Sequence, residues 1–337
     1  MTEPPSAVLR DLRSLPKAHL HLHLEGAMRP ATLAELASAH GIDVPPLQGD
    51  GSFATFGGMY RAACLTLQSP ADVLRIVQEV AEDAAESGAT WVEPALMASA
   101  GAALRLGLDS DEAYLELLLA AAAEAQRATG VGVGLMLTAN RARAPDTALR
   151  EAELAARYAG RGVVAFGLAD DESLGPPQAF TEAFALARAA GLISAPHAGE
   201  LSGATSVLGA LESLGAHRIQ HGVRAIEDSA LVEYVARKQI CLDICPTSNL
   251  VLSVVPSLEA HPLPELLAAG VPVSVNADDP LFFGSSLLEE YELCRSAFGL
   301  DDAALAQIAA CSLRASGAPD HLKRAGLIGI QRWLADE

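Results

Sequence analysis

The sequence predicts a (β/α)8 TIM barrel, and three observations lead to this fold class. Short apolar segments alternate with longer segments rich in Ala, Leu, Glu and Arg, a pattern that indicates βαβ units and a parallel sheet. Eight such apolar segments are present, which is the number of strands that closes this barrel. The chain has 337 residues, and a typical barrel has roughly 250, so additions to the barrel are expected.

The predicted elements follow one another as strand and helix along the chain. The predicted strands are 18–23, 90–96, 132–138, 163–168, 192–197, 218–222, 240–245 and 271–276. The predicted helices between and after them are 69–87, 110–129, 145–159, 177–190, 204–214, 229–238 and 264–269. No internal repeat or linker interrupts this series, so residues 1–337 are predicted to form a single domain.

Three additions account for the remaining length. An N-terminal arm precedes the first strand, and a C-terminal helical tail is predicted over 301–334. A helical insertion after strand 1, roughly residues 30–69, contains Phe53, Phe56 and Tyr60 among glycines. This insertion is predicted either to form a lid over the barrel mouth or to be a packed pair of helices.

Composition and charge narrow the possible partners. The formal net charge is −19 and Lys and Arg form no cluster, so neither nucleic acid nor an anionic membrane is expected as a partner. No apolar segment is long enough for a transmembrane helix, and the N-terminus lacks the apolar core of a signal peptide. We therefore expect a soluble cytoplasmic protein. The five cysteines are expected to be buried free thiols. No feature predicts the oligomeric state.

The most informative segment lies in the first predicted strand, where His19, His21 and His23 alternate with leucines. Alternate side chains of a strand share one face, so these histidines are expected to point the same way. In this fold, functional groups lie at the C-terminal ends of the strands. Further polar residues occur at the same ends of the predicted fifth, sixth and eighth strands: His197, Glu200, His221, Asp278 and Asp279.

Four of these residues fit the chemistry of a single zinc ion. His21, His23 and His197 supply imidazole nitrogens, and Asp278 supplies a carboxylate oxygen. A catalytic zinc keeps one position for water and lowers the pKa of that water towards neutrality.

Three further residues then have places in the chemistry. His221 is free to orient the water or to accept its proton. Glu200 lies three residues after a ligand and can pass a proton to the substrate. Asp279 follows a ligand directly and can accept a hydrogen bond from the substrate.

The motifs resemble those of the adenosine deaminase family of metal-dependent hydrolases. The family's HxHLDG or HxHLEG, HAGE, HG with a following acidic pair, CPTSN and DDP motifs match residues 21–26, 197–200, 221–222 with 227–228, 245–249 and 278–280. The matches occur in the family's order between about residues 17 and 291. HAGE, CPTSN and DDP together are highly specific, whereas each motif alone is weak.

The resemblance implies zinc-dependent hydrolytic deamination of the 6-amino group of an adenine nucleoside, a small-molecule substrate, with release of ammonia. It implies one zinc ion per chain, held by His21, His23, His197 and Asp278.

The resemblance also implies roles for the remaining residues. Water activated by the metal attacks C6 of the adenine ring, and Glu200 protonates N1. His221 acts on the attacking water, which Asp278 helps to hold. Asp279 pairs with N7, and Glu25 occupies the position that contacts the sugar or a neighbouring part of the substrate.

Three residues depart from the family pattern. His19 stands where family members often have Glu, and we expect it to be structural and deeper in the barrel. Gln220 replaces the usual glycine before the catalytic histidine and is expected to crowd the site slightly. At the end of the predicted fourth strand, where a glycine amide meets purine N3 in adenosine-specific members, the sequence has Asp170 instead. Gly167 and Asp170 of this segment are predicted to bind substrate, and Asp170 adds bulk and charge near the sugar.

The identity of the adenine compound stays open. Adenosine and 5′-modified adenosines such as 6-aminodeoxyfutalosine, a menaquinone precursor, are the first candidates. Adenine or an N6-substituted adenine is the alternative. The segment around Asp170 and the one around His197 resemble the aminodeoxyfutalosine group most.

Two other functions compete with deamination. One is a different hydrolase on the same barrel; those with two metals often bridge them with a modified lysine after strand 4, but 163–172 contains no lysine. The other is a barrel that binds a nucleoside without catalysis, for which an incomplete site would be expected. The H-x-E…P-C-x-x-C signature of cytidine deaminases is absent.

Other polar residues are not expected to take part in the chemistry. One set of histidines is expected to be solvated or packed: His40, His217, His261 and His321. Glu93 is expected to be a buried carboxylate with hydrogen-bond partners. Three residues are expected to brace the mouth of the seventh strand: Thr247, Ser248 and Asn249.

Overall fold

A ring of parallel strands forms the centre of the computed structural model, which describes residues 9–97 and 101–335. In these residues the strands are β1 Lys17–His23, β2 Ala89–Leu96, β3 Gly132–Val133, β4 Leu135–Asn140, β5 Val163–Ala169, β6 Ile193–Ala198, β7 Arg218–His221, β8 Cys241–Ile244 and β9 Val273–Val275. They are hydrogen-bonded in the order β1-β2-β4-β5-β6-β7-β8-β9, and β3 pairs with β2. This arrangement confirms the predicted (β/α)8 barrel.

Helices connect the strands and cover the outside of the barrel. Within the described ranges they are α1 Pro30–His40, α2 Phe53–Cys64, α3 Pro70–Glu86, α4 Ala102–Arg105, α5 Asp111–Thr129, α6 Pro145–Arg157, α7 Thr181–Ala189, α8 Ala204–Ser213, α9 Ser229–Lys238, α10 Pro246–Val251, α11 Leu263–Ala268, α12 Pro280–Phe283, α13 Leu287–Ala297, α14 Asp302–Ala315 and α15 Asp320–Ala335. The predicted helix 177–190 begins as a 3-10 turn, Pro177–Phe180, before α7.

The predicted third strand is divided into β3 and β4 at Gly134. The Gly134 amide still donates to the carbonyl of Val92 on β2, at 3.0 Å. A Cβ at Gly134 would lie 2.5 Å from the ring of Trp91, so the backbone passes this ring too closely for any side chain. The division therefore follows from packing against an aromatic ring, which the apolar pattern alone does not encode.

The first and last strands meet through one side chain and one loop. Asn276 Oδ1 accepts hydrogen bonds from the amides of Leu20 and His21, at 2.7 and 3.1 Å. The Asp278 amide donates to the His21 carbonyl at 3.1 Å, and the His23 amide donates to the Asp278 carbonyl at 3.0 Å. These four bonds close the barrel between β9 and β1.

The barrel interior contains a buried charge network below the C-terminal ends of the strands. Arg218 Nη2 lies 2.5 Å from Glu93 Oε2, and Arg218 Nε lies 3.0 Å from Asp243 Oδ2. Glu93 Oε1 also accepts from Trp91 Nε1 at 2.7 Å and from the Gly317 amide at 2.6 Å. The prediction that Glu93 is a buried, hydrogen-bonded carboxylate is confirmed, and its pairing offsets the cost of burial.

The predicted additions are present. The insertion after β1 contains α1 and α2, and the tail contains α14 and α15, of which α14 packs against β1 and β9. The N-terminal arm includes a short 3-10 turn, Leu12–Ser14, while residues 1–8 lie outside the described residues. No helix in the described ranges is both long and apolar enough to cross a membrane.

The cysteine prediction holds only in part. All five cysteines are free thiols, and Cys241, Cys245 and Cys294 are buried as expected. Cys64 and Cys311 are only partly buried. Both lie on helices outside the barrel strands, where the apolar neighbourhood in sequence is not matched by full coverage in the fold.

Candidate functional site

Four side chains from three separate parts of the barrel converge at its C-terminal end. His21 and His23 lie at the end of β1, His197 lies at the end of β6, and Asp278 follows β9. The Nε2 atoms of His21 and His23 are each 3.2 Å from His197 Nε2. The same two nitrogens lie 3.2 and 3.3 Å from Asp278 Oδ1. The structure thus brings together all four residues predicted to bind metal.

These separations fit the spacing of ligand atoms around a zinc ion. With zinc–nitrogen and zinc–oxygen distances of 2.0–2.1 Å, the edges of a tetrahedron are about 3.3–3.4 Å. Four of the six separations between the donor atoms are 3.2–3.3 Å, close to this value. The donor set of three imidazoles and one carboxylate is also one that zinc accepts.

Hydrogen bonds behind two of the rings fix which nitrogen faces the centre. His21 Nδ1 lies 3.1 Å from the Asp243 carbonyl, and His197 Nδ1 lies 3.0 Å from the Leu168 carbonyl. Because a carbonyl only accepts, both Nδ1 atoms carry the hydrogen. The Nε2 lone pairs of His21 and His197 therefore point at the centre, as metal ligands require.

The two carboxylate oxygens of Asp278 have different partners. Oδ1 faces the histidines, and Oδ2 accepts a hydrogen bond from Ser248 Oγ at 2.7 Å. Burial alone would raise the pKa of Asp278, but its interactions with His21 and His23 hold that pKa well below its usual value. Asp278 is therefore an anion facing the histidine cluster. Ser248, which was predicted to brace the mouth of the seventh strand, thus also holds the carboxylate of Asp278 in place.

Two groups suited to proton transfer lie beside the cluster. His221 Nε2 is 3.5 Å from Glu200 Oε1 and 3.7 Å from Asp278 Oδ2. Burial, together with the charge of Asp278, raises the pKa of Glu200 well above its usual value, which favours its protonated form. Burial and the neighbouring His21 lower the pKa of His221 to about 3, so its ring is neutral. The site thus places a buried proton donor next to a neutral imidazole.

Glu172 is a structural residue of the site that the sequence did not single out. Its carboxylate accepts hydrogen bonds from the amides of residues 199–202, at 2.8–3.3 Å, and from Ser206 Oγ. These bonds hold the turn that presents Glu200. The Asp-Glu pair at 171–172 was the available signal, but nothing in the sequence shows that it faces a loop some 27 residues later.

Asp279 lies at the pocket wall with one oxygen unpaired. Burial and the adjacent Asp278 raise the pKa of Asp279 well above its usual value, which favours the protonated carboxyl group. Its Oδ1 is buried and has no hydrogen-bond partner among the described residues. Gly26 makes room for it, because a Cβ at residue 26 would lie 1.6 Å from Oδ1.

A pocket of about 590 Å³ opens above the cluster. The insertion contributes one wall: Phe53, Phe56 and Tyr60 of α2 line the pocket. Phe56 stacks on Phe283 with ring centroids 5.3 Å apart. The second helix of the insertion, α2, therefore covers part of the pocket mouth, as the first of the two predicted alternatives has it. Tyr60 Oη donates to Glu25 Oε2 at 2.9 Å, so Glu25 is fixed at this wall.

Gly167 of β5 and Asp170, which directly follows β5, were both predicted to bind substrate and lie at different depths. Asp170 lines the pocket in a left-handed backbone conformation, φ 83°, with Asn140 Nδ2 donating to its Oδ2 at 2.7 Å. Gly167 lies one layer deeper, where a Cβ would meet Thr138 Oγ1 at 2.9 Å, and it does not line the pocket. At this depth the absence of a side chain serves packing inside the barrel, and contact of Gly167 with substrate stays a prediction.

The two other departures from the family pattern lie outside the pocket. His19 is buried, and its Nε2 accepts a hydrogen bond from the Ala277 amide at 3.1 Å, as expected for a structural histidine. Gln220 is fully buried and does not line the pocket. The expectation that it crowds the site is therefore wrong. The register of Gln220, next to His197 and Asp243 of the neighbouring strands, places it inside the barrel below the cluster.

The fold and this site define a class of protein: a barrel hydrolase with a metal-binding centre at the C-terminal ends of its strands. The family model for adenosine deaminase matches residues 16–333. A Streptomyces coelicolor relative with the provisional name adenosine/adenine deaminase is 43% identical over 341 residues, which cover 97% of this chain and 98% of the relative.

Two solved structures are similar over nearly the whole chain. Adenine deaminase from Arthrobacter aurescens is 30% identical with a TM-score of 0.87, covering 95% of this chain and 99% of that one. An amidohydrolase from Burkholderia ambifaria, solved with bound Zn, is 25% identical with a TM-score of 0.84, covering 99% and 97%. The chain belongs to the adenosine deaminase family and is a hydrolase that acts on carbon–nitrogen bonds.

Proposed function

We propose that this protein removes the 6-amino group of an adenine compound by zinc-dependent hydrolysis and releases ammonia. The observation that carries this proposal is the position of the buried Glu200 carboxyl group beside His221 and a cluster of metal-ligand geometry. A proton donor at that place can neutralise N1 of a purine while water attacks the adjacent C6.

The residues present support zinc as the ion, one per chain. His21, His23, His197 and Asp278 provide four donor atoms at the separations of zinc ligands. The similar structure from Burkholderia ambifaria was solved with bound Zn. When bound, zinc lowers the pKa of a water molecule towards neutrality and so supplies a nucleophile at working pH.

The chain's own groups handle the purine and the protons. Glu200 gives its proton to N1, and Asp279, protonated and unpaired at Oδ1, donates a hydrogen bond to N7. His221 faces the attacking water. Water contributes its oxygen to C6; of its two protons, one replaces the proton lost by Glu200 and the other converts the departing amino group to ammonia.

An adenine nucleoside is the first candidate substrate. The pocket of about 590 Å³ has the size of an ordinary small-molecule site and extends beyond the space of a bare purine. Glu25, held by Tyr60, lies on the wall where a sugar hydroxyl can donate to it. A 5′-modified nucleoside such as 6-aminodeoxyfutalosine stays within this proposal.

Free adenine is the second candidate, and Asp170 is the observation that favours it. Free adenine carries a hydrogen on its imidazole ring that a carboxylate can accept, whereas N9 of a nucleoside has none. Asp170 places a carboxylate at the pocket wall where the family's adenosine-specific members have glycine. The similar structure from Arthrobacter aurescens is named adenine deaminase.

The test is a substrate panel with the zinc-loaded protein. Adenine, adenosine, methylthioadenosine, N6-methyladenine and 6-aminodeoxyfutalosine are incubated side by side, and ammonia release and the ultraviolet change of the purine are followed. At least one compound should be converted. No conversion of any adenine compound by protein with stoichiometric zinc would contradict the proposal.

Two variants separate the roles of the metal ligand and the proton donor. Glu200→Gln should lower kcat by roughly 10²-fold or more while zinc stays bound, because an amide cannot protonate N1. Asp278→Ala should lose zinc as well as activity. Metal analysis of both proteins gives the readout, and retained stoichiometric zinc in Asp278→Ala would remove Asp278 from the ligand set.

Asp170→Gly distinguishes the two candidate substrates. The backbone at residue 170, φ 83°, suits glycine, so the fold should be retained. If Asp170 accepts a hydrogen from free adenine, kcat/KM for adenine should fall about 10-fold or more, relative to that for adenosine. An unchanged ratio of the two kcat/KM values would show that Asp170 does not select free adenine.

A further inference from the structure

A line of hydrogen bonds leads from His221 away from the reacting centre to a backbone amide. His221 Nδ1 lies 3.2 Å from Asn249 Nδ2, and Asn249 Oδ1 lies 3.2 Å from His261 Nε2. The Leu263 amide donates to His261 Nδ1 at 3.1 Å. His221, Asn249, His261 and Leu263 are all buried, with at most 4% of each exposed. These three bonds form one continuous buried relay.

The backbone amide at the far end sets the direction of the relay. Leu263 N–H can only donate, so His261 Nδ1 accepts and carries no hydrogen. Burial lowers the pKa of His261 to about 4, so the ring is neutral near pH 7 and its hydrogen lies on Nε2. His261 therefore donates to Asn249, and the Asn249 atom that faces it is the amide oxygen.

Asn249 transmits this direction to His221. Its oxygen is used by His261, so its NH2 group faces His221 Nδ1. An amide NH2 group only donates, and His221 Nδ1 must therefore accept and carry no hydrogen. A ring whose Nδ1 carries no hydrogen is neutral, and its single hydrogen then lies on Nε2, the nitrogen that faces Glu200 and Asp278.

We propose that the relay from Leu263 through His261 and Asn249 fixes His221 as the Nε2–H tautomer, and that Asn249 and His261 are positioning residues for the reaction. The proposed consequence for turnover rests on the deaminase function above, whereas the tautomer itself does not.

The relay separates His221 from the metal ligands. Ligand atoms of His21, His197, His221 and Asp278 all lie within 4.8 Å of one another, so distance alone would admit His221 as a ligand. His21 and His197 give their Nδ1–H to carbonyls and keep a free Nε2 lone pair. His221 has the opposite arrangement, and a nitrogen that carries a hydrogen does not bind a metal. The bonds behind the rings thus assign the histidines to different tasks.

The relay also decides between the two roles that the sequence left open for His221. A ring that presents Nε2–H donates a hydrogen bond to the attacking oxygen and does not accept a proton from it. His221 therefore orients the nucleophile and stabilises the negative charge that develops on its oxygen. The proton of the water passes to a carboxylate of the site instead.

Nuclear magnetic resonance reads the tautomer without turnover. In zinc-loaded protein labelled with 15N-histidine, the expected spectrum shows a hydrogen on His221 Nε2 and none on Nδ1, and the same for His261. His221→Gln and His261→Gln assign the signals. A hydrogen on His221 Nδ1 would overturn the proposal, whether or not the protein deaminates any compound.

Asn249→Asp reverses the last bond of the relay. A carboxylate accepts where the amide donated, so the His221 hydrogen should move to Nδ1, and kcat should fall by roughly 10²-fold with little change in KM or zinc content. Wild-type kcat in a folded Asn249→Asp protein that shows the moved hydrogen would overturn the positioning role.

Residue 261 gives a matched pair of variants that leaves Asn249 in place. His261→Gln keeps a donor towards Asn249, so it should retain the Nε2–H signal of His221 and lose less than about 10-fold in kcat. His261→Glu offers an acceptor instead, turns the Asn249 amide around and should lower kcat as Asn249→Asp does. Equal kcat values for the two variants would contradict the relay. His321→Gln, an exchange at an exposed histidine on α15, is the control.

Discussion

Three side chains of the site share an uncommon backbone conformation. Asp170, His221 and Asp278 have φ values of 83°, 64° and 59°, although none is glycine. Such residues are rare, and the surrounding structure must hold them in place. The conformation of Asp278 is held by its two backbone hydrogen bonds to β1 and by the hydrogen bond from Ser248. The strand ends thus turn sharply just where a side chain must enter the centre.

Gly26, in the turn after β1, packs closely against Asp279 of the site. In Gly26→Ala the new Cβ would collide with Asp279 Oδ1, so Asp279 must move. We expect kcat/KM to fall by roughly 10-fold or more, with zinc content unchanged. Gly58→Ala on α2, where a Cβ meets no atom within 4 Å, is the control and should be neutral or stabilising by up to about 1 kcal/mol. Normal kcat/KM in Gly26→Ala would show that the position of Asp279 does not matter.

At the residue scale the sequence reveals groups that act directly and conceals those that act through others. The convergence of His21, His23, His197 and Asp278 was predictable because alternation and strand-end position place them. Asn249 and His261 were expected only to brace or to pack, since their effect depends on a side-chain contact across 28 and 12 residues, which no local pattern encodes. The depth of Gly167 was not predictable for the same reason: spacing along a strand does not give the distance from the C-terminal end of the barrel.

At the scale of elements, the turn after β6 depends on a carboxylate from the end of β5. Four consecutive amides, 199–202, converge on Glu172. Such a cluster of donors needs an anion, and no other described carboxylate accepts from these amides. The loop that presents Glu200 is therefore set by the neighbouring βα loop.

Glu172→Gln should disturb this turn without touching the substrate. A neutral amide accepts more weakly and brings an NH2 group among N–H donors, so stability should fall by about 2–3 kcal/mol and kcat by at least 10-fold. Thermal unfolding and steady-state kinetics give the two readouts. Glu182→Gln, at an exposed position of α7, is the control and should change neither. Wild-type stability in Glu172→Gln would mean that the amides find another acceptor.

Elements were predictable where their pattern is local. The alternation of strands and helices gave the barrel, and most boundaries lie within a few residues of those observed. The insertion was ambiguous because its aromatic residues serve two neighbours: Phe56 packs on Phe283, and the same helix lines the pocket. Only the position of α12, more than 200 residues later, shows that one helix does both.

At the scale of the whole molecule, a buried carboxyl group couples stability to pH. Glu290 of α13 accepts from the Thr247 amide at 3.3 Å, and burial raises its pKa to about 7 from 4.5. The fold favours the protonated form. Its contribution to stability is therefore fully present below pH 4.5 and is lost as the pH rises through about 7.

We expect this group alone to lower the free energy of unfolding by about 2–3 kcal/mol between pH 4.5 and pH 8. Glu290→Gln should remove that part of the pH dependence and leave the protein more stable than wild type at pH 8. Urea unfolding across the pH range measures both. Glu292→Gln, an exposed neighbour on the same helix, is the control. An unchanged pH profile in Glu290→Gln would assign the dependence to other groups.

The junction of β1 and β9 carries a consequence for biosynthesis. The ribosome makes His21 and His23 near the beginning of the chain. Their partner Asp278, and Asn276, which bonds to the backbone of β1, are made some 256 residues later. An unfinished polypeptide lacks the fourth donor atom. We therefore expect the proposed zinc ion to bind tightly only after translation has passed the final strand.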